Sequence, residues 1–185
     1  PDCVRTVIYL VRHPFDVAVS LAYHMNTTPE HTVQIMADDG SVRRPYRTLV
    51  KSLQQTFGSW SGNVESWLNN PAYRVSWSRY EDVCAGPVEH IERHARAAGL
   101  SVSREDVVAA VKASDFQELQ REEKRAGFRE KAKESRLFFR TGRPGTWKGV
   151  LDESLRARLV RDHGRVMERL GYGVDGETGP LPILQ

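Results

Sequence analysis

Apolar residues along the chain follow two rhythms. The unbroken run Val7, Ile8, Tyr9, Leu10, Val11 within 6–11 has the character of a strand buried on both faces of a parallel sheet. Residues 73–78 alternate apolar and polar side chains, which predicts a second strand. Elsewhere apolar positions recur at helical spacing, and the expected helices are 15–25, 46–57, 61–68, 87–98, 104–113, 116–124 and 153–170. No third strand stands out. Two strands beside this much helix do not make a covered parallel sheet. The pattern therefore predicts that 1–185 is the C-terminal part of a single α/β domain whose other strands lie upstream.

Local punctuation agrees with this layout. Pro14 suits the first position of a helix, where its missing N–H does no harm, and Asp16 suits the positive helix end. Residues 26–45 read as a long polar connection, of a length that predicts a functional lid. Ser103 and Asp106 have capping-box spacing. The charged, poorly periodic stretch 127–135 is expected to be flexible, and 171–185 to form an irregular surface strip. Trp60 and Trp67, seven apart, read as packing residues, and Cys84 as a buried thiol.

Composition narrows the classes. A chain of 185 residues suffices for one domain with a real core, and 39% hydrophobic with 28% charged residues describes a globular protein. No stretch nears the roughly 20 apolar residues of a membrane span, and Pro1 to Arg5 show no signal-peptide pattern. The two cysteines, Cys3 and Cys84, lack metal-site spacing, so the expected setting is the reducing cytoplasm. A net charge of +3 without a dense basic stripe argues against nucleic acid as the partner.

The candidate chemistry lies in two basic segments. The first strand ends on Arg12, and a proline-led helix follows with Ser20 inside it; residues 139–148 form a glycine- and arginine-rich loop ending in Trp147 and Lys148. Guanidinium, hydroxyl and backbone N–H donors near a helix start are the set that holds a phosphate. Taken singly, Arg12 reads as a surface ion-pair residue, Tyr80 and Phe116 as core aromatics, and Glu81 with Asp82 as helix N-terminal charge rather than an acid–base pair. The joint pattern carries the argument.

That pattern resembles the sulfotransferases that use 3′-phosphoadenosine-5′-phosphosulfate (PAPS). Their phosphate-binding strand and helix show an arginine, a proline two positions on and a serine eight positions on, as do Arg12, Pro14 and Ser20. Arg79-Tyr80-Glu81-Asp82 resembles the family's Tyr-Glu-Asp segment after a strand. Ser114-Asp115-Phe116 is similar to its Thr/Ser-x-Phe segment, and 139–148 to its C-terminal Arg-Lys-Gly-x-x-Gly-Asp-Trp-Lys loop. The resemblance runs from Val7 to about Tyr172, and Gly58, Ser59 and Trp60 with Val64 and Trp67 point toward bacterial members acting on small molecules or natural products.

The resemblance implies a P-loop NTPase-like sulfotransferase fold, a parallel sheet flanked by helices, here lacking the N-terminal strands and phosphate loop. It implies PAPS as co-substrate, no metal, and a small-molecule or natural-product acceptor, with neither nucleic acid nor membrane as partner. Arg12, Ser20 and Arg140 would hold the 3′-phosphate, with the N–H groups of Thr141 and Gly142 closing round it. Phe116 would stack on adenine, Tyr80 would contact its exocyclic amine, and Ser114 would lie within hydrogen-bonding reach. Three positions depart from the family pattern: Thr141 replaces a lysine, with Arg143 nearby to compensate; Thr146 replaces an aspartate; and His13 stands where asparagine is common.

The family's general base and its sulfate-side phosphate loop precede the strand equivalent to 6–11, so no residue here is expected to be catalytic. His24 and His31 suit a lid or substrate contact. Two alternatives to the sulfotransferase reading stay open: a non-catalytic binder of 3′-phosphoadenosine compounds, and a P-loop kinase relative.

Overall fold

The computed structural model describes residues 4, 6–40, 42–43, 55–129 and 137–181. Chain order runs β1 (Thr6–Val11), α1 (Pro14–Met25), α2 (Pro29–Ala37), β2 (Val42–Arg43), β3 (Gln55–Thr56), α3 (Trp60–Leu68), β4 (Arg74–Arg79), α4 (Tyr80–Ala85), α5 (Pro87–Ala97), α6 (Arg104–Ala113), α7 (Phe116–Ala126) and α8 (Glu153–Arg169). The two expected strands pair in parallel, with Thr6 opposite Arg74 and Val11 opposite Arg79. Both therefore end at the same edge, where the sequence places its candidate residues.

Helix α1 is the centre of the core. Phe15, Ala18 and Val19 are fully enclosed in one cluster with Val11, Val33, Met36, Trp147, Leu155, Leu159 and Met167. Trp60 joins this core and Trp67 stacks on Tyr9 at 6.2 Å, so both tryptophans pack as expected. On the other face of β4 the contact with α5 is polar. Ser76 Oγ meets His94 Nδ1 and Ser78 Oγ meets His94 Nε2, each at 2.8 Å. Period-two serines on a strand and a buried histidine on the helix above it satisfy one another.

Several expectations are corrected. The connection 26–45 is not a loop throughout, because α2 fills Pro29–Ala37. Thr28 caps it, Pro29 stands in its first turn, and Thr32, Val33 and Met36 recur at helical spacing on its buried face. Gln55–Thr56, expected to end a helix, pairs antiparallel with Val42–Arg43; the rest of that expected helix, 46–54, lies outside the described residues. Strand β1 is not enclosed on both faces among the described residues, where Ile8 and Leu10 remain 50% and 53% exposed. Cys84 is exposed, because the single short helix α4 buries none of its residues. Of 127–135, only 127–129 are described.

The segment after α8 is irregular and, among the described residues, lies mostly at the surface as expected, apart from one antiparallel bridge between Tyr172 and Thr178 and the burial of Tyr172. Tyr172 is 3% exposed. The buried Arg79 guanidinium donates to Leu170 O at 3.0 Å and Gly179 O at 2.8 Å while holding Asp82 in a two-pronged pair at 2.7 and 2.9 Å. One arginine at the end of β4 thus satisfies carbonyls that an irregular segment cannot pair within itself.

Candidate nucleotide site

The site is built where β1 and β4 end. After Val11 the chain turns through Arg12 and His13 into α1. His13 caps the helix: its Nδ1 accepts the Phe15 N–H at 3.2 Å, which leaves the proton on Nε2, facing Gly173 O at 3.4 Å. Its own backbone N–H donates to Glu81 at 3.0 Å. Burial holds the His13 imidazole below its ordinary pKa, although the Gly173 carbonyl and nearby carboxylates pull it partly back. The histidine found in place of asparagine therefore takes over a capping task.

Arg12 leaves this turn toward the loop 140–147. Its Nη2 donates to Arg143 O at 3.1 Å and lies 3.6 Å from Asp16, and its guanidinium sits over the Tyr80 ring at 4.6 Å. Its Nε is buried and has no hydrogen-bond partner among the described residues. Tyr80 opens α4; its hydroxyl lies beside Cys84, and burial pushes its pKa up to about 12.

The loop is fastened at three points. Asp16, only 1% exposed, accepts the Gly145 N–H at 2.7 Å, the Thr146 hydroxyl at 2.8 Å and the Trp147 N–H at 3.0 Å. From α7, buried Glu123 accepts the N–H groups of Phe138 at 2.6 Å and Phe139 at 2.9 Å, and Gln120 donates to Phe139 O at 2.7 Å. Trp147 is buried edge-on against Phe15 with ring centres 5.2 Å apart. Gly142 has φ +61°, and a Cβ there would come within 2.2 Å of a Phe116 ring carbon. The glycine thus admits both the left-handed turn and the close approach of the aromatic.

Arg140 lies over the Tyr23 ring at 4.1 Å, and its Nη2 reaches Thr146 Oγ1 at 3.5 Å. Thr146 is bonded to Asp16 and Asp16 is paired with Arg12, so the two arginines are joined through two intervening side chains. Ser20 is half-buried on α1, four positions after Asp16 and three before Tyr23, on the helix face those two present to the loop. Thr141 is half-buried between Arg140 and Gly142. Ser114 stands apart: it is exposed at the end of α6, with its backbone N–H on Ala110 O, two positions before Phe116.

Sequence reasoning assigned Asp16 to the helix dipole and gave no role to Tyr23, Gln120 or Glu123. A carboxylate set among Phe15, Ala18 and Val19 on the apolar face of a helix was a usable signal, since a charge there needs buried partners.

The sulfotransferase domain model matches residues 5–171 of this sequence. The chain belongs to the sulfotransferase domain family. Among solved structures, this sulfotransferase chain is similar to a mouse sulfotransferase complexed with PAP (19% identity, TM-score 0.64, 88% of this chain and 58% of that one). It is also similar to retinol dehydratase in complex with retinol and PAP (21%, 0.64, 90% and 48%) and with androsterone and PAP (20%, 0.65, 90% and 48%). These likenesses show the sulfotransferase fold, an α/β P-loop-like fold. The chain spans about half the length of these relatives. No curated protein matches it.

Proposed function

We propose that this sulfotransferase chain holds the 3′-phosphate and adenine of PAPS during transfer of the sulfuryl group to a hydroxyl or amine of a small-molecule acceptor. One observation carries the reading: Arg12 and Arg140, from opposite ends of the sequence, are joined through Thr146 and Asp16. Two guanidiniums and a buried Arg12 Nε without a partner among the described residues fit a phosphate dianion. PAPS, when bound, supplies an activated sulfuryl group on a good leaving phosphate.

The protein's share is recognition and orientation. Arg12, Arg140 and Ser20 would hold the 3′-phosphate, and the N–H groups of Thr141 and Gly142 would close over it. Phe116, seated on Gly142, would offer its ring to adenine, Tyr80 would contact the exocyclic amine, and Ser114 would reach the base from the exposed end of α6. We assign the general base to none of these residues. The PAP bound in the similar structures supports the co-substrate, and the retinol and androsterone carried by retinol dehydratase support an apolar small-molecule acceptor. No helix among the described residues is long and apolar enough to cross a membrane. The proposed setting is the cytoplasm.

Calorimetry on the complete protein with PAP and with AMP tests the phosphate reading, since the two ligands differ only in the 3′-phosphate. Preference for PAP is expected; equal affinity would refute it. Mass spectrometry of an acceptor panel incubated with PAPS tests transfer through the appearance of sulfated product.

A further inference from the structure

We propose that Asp16 and Thr146 are positioning residues that set the separation of Arg12 and Arg140, and so the discrimination of a ribose 3′-phosphate from a free 3′-hydroxyl. The inference rests on the phosphate reading above and concerns two residues given no part in ligand binding.

Proton direction along this path is fixed by chemistry. A carboxylate can only accept, so the Thr146 hydroxyl, 2.8 Å from Asp16, spends its single proton there. The lone pairs of Thr146 Oγ1 are then what Arg140 Nη2 meets at 3.5 Å. On the other side, Arg12 Nη2 stands 3.6 Å from the second Asp16 oxygen. The order Arg140, Thr146, Asp16, Arg12 therefore places one buried negative charge between two guanidiniums. That charge offsets their mutual repulsion and keeps both in one place without ligand.

The strength of each link matters as much as its presence. The three loop bonds to Asp16 are short, at 2.7, 2.8 and 3.0 Å, whereas both arginine contacts lie at or beyond the outer limit for a hydrogen bond. Asp16 is thus saturated by the loop and only loosely engaged with Arg12, as Thr146 is with Arg140. A dianion offering short, charge-assisted bonds would outcompete those loose contacts without dismantling the loop. An aspartate at 146, the family's residue, would set a second carboxylate against Asp16; the hydroxyl of Thr146 accepts from Arg140 while donating to Asp16, which a carboxylate cannot do.

The test is calorimetric affinity for PAP and for AMP, with thermal melting alongside, in complete proteins carrying Thr146→Ser, Thr146→Ala or Thr146→Val. Serine and alanine at 146 differ by one oxygen and lose the same methyl group. Thr146→Ser is expected to keep the wild-type preference for PAP, while Thr146→Ala and Thr146→Val lose it by about 10-fold, the scale of one charge-assisted bond. AMP affinity is expected to stay unchanged in all three. Equal PAP preference in the Ser and Ala variants, or a parallel fall for both nucleotides, overturns the positioning role and leaves a loop staple. Wild-type protein that binds AMP as tightly as PAP instead overturns the phosphate reading itself.

Discussion

Glu81 and Tyr172, 91 positions apart, share a 2.8 Å hydrogen bond in which the phenol donates to the carboxylate. The second Glu81 oxygen accepts the His13 N–H at 3.0 Å. The acidic residue after Tyr80 stands in the first turn of α4, as expected, and also accepts from two other elements of the fold. It locks the start of α1, the end of β4 and the segment after α8 together directly beneath Arg12. Burial and the adjacent carboxylate raise the Tyr172 pKa far above its ordinary value, so the phenol stays protonated and donating.

Glu81→Gln and Tyr172→Phe are each expected to cost about 1.5–3 kcal/mol, the range for a hydrogen bond to a charged group. The double variant should lose less than the sum, because both changes break the same bond. Urea unfolding of the four proteins measures this, and strict additivity would show that the bond adds nothing to stability.

Gly142→Ala should strain the loop 140–147 twice, through its left-handed dihedral and through collision with the Phe116 ring. The dihedral alone costs about 1–2 kcal/mol. In a Phe116→Ala background only that part should remain, so the thermal penalty of Gly142→Ala should shrink. An equal penalty in both backgrounds would show that the ring does not press on this glycine.

Arg12→Lys is expected to lower PAP affinity by roughly 10-fold while keeping the charge, since an ammonium cannot reproduce the planar fork or the stacking on Tyr80. AMP affinity should change little. A lysine variant with wild-type PAP affinity would mean that charge alone suffices there.

Acid should loosen the site through His13. Its folded-state pKa lies below the ordinary 6.5, so the unfolded chain takes up a proton more readily. The stability contributed by the neutral ring is complete above 6.5 and is lost as pH falls through the depressed folded value. Protonation also removes the Nδ1 lone pair that caps Phe15. His94 and His163 are depressed by burial in the same direction. An NMR titration should give a His13 midpoint below 6.5, and unfolding free energy should drop between pH 7 and 5. A midpoint at or above 6.5 would contradict the buried, neutral cap.

Elements with local signals are legible in the residues alone. The apolar run of β1, the proline at the head of α1, the capping box of Ser103 and Asp106 and the glycines of the loop all act within a few residues, where dihedral limits and side-chain period apply directly. Helix α2 was legible in the same way, since Thr28 and Pro29 begin it, but the polar composition around it concealed the signal.

The partners of the buried charges follow from the fold. That Asp16 serves the loop, that Glu81 serves Tyr172 and that Arg79 serves the carbonyls of the final segment follows from which surfaces close on one another. A buried charge must find donors or acceptors somewhere, and the sequence states the need without the address. The packing of α1 against α2 and α8 in one shared core supplies that address, because it brings residues some 130 positions apart within hydrogen-bond distance.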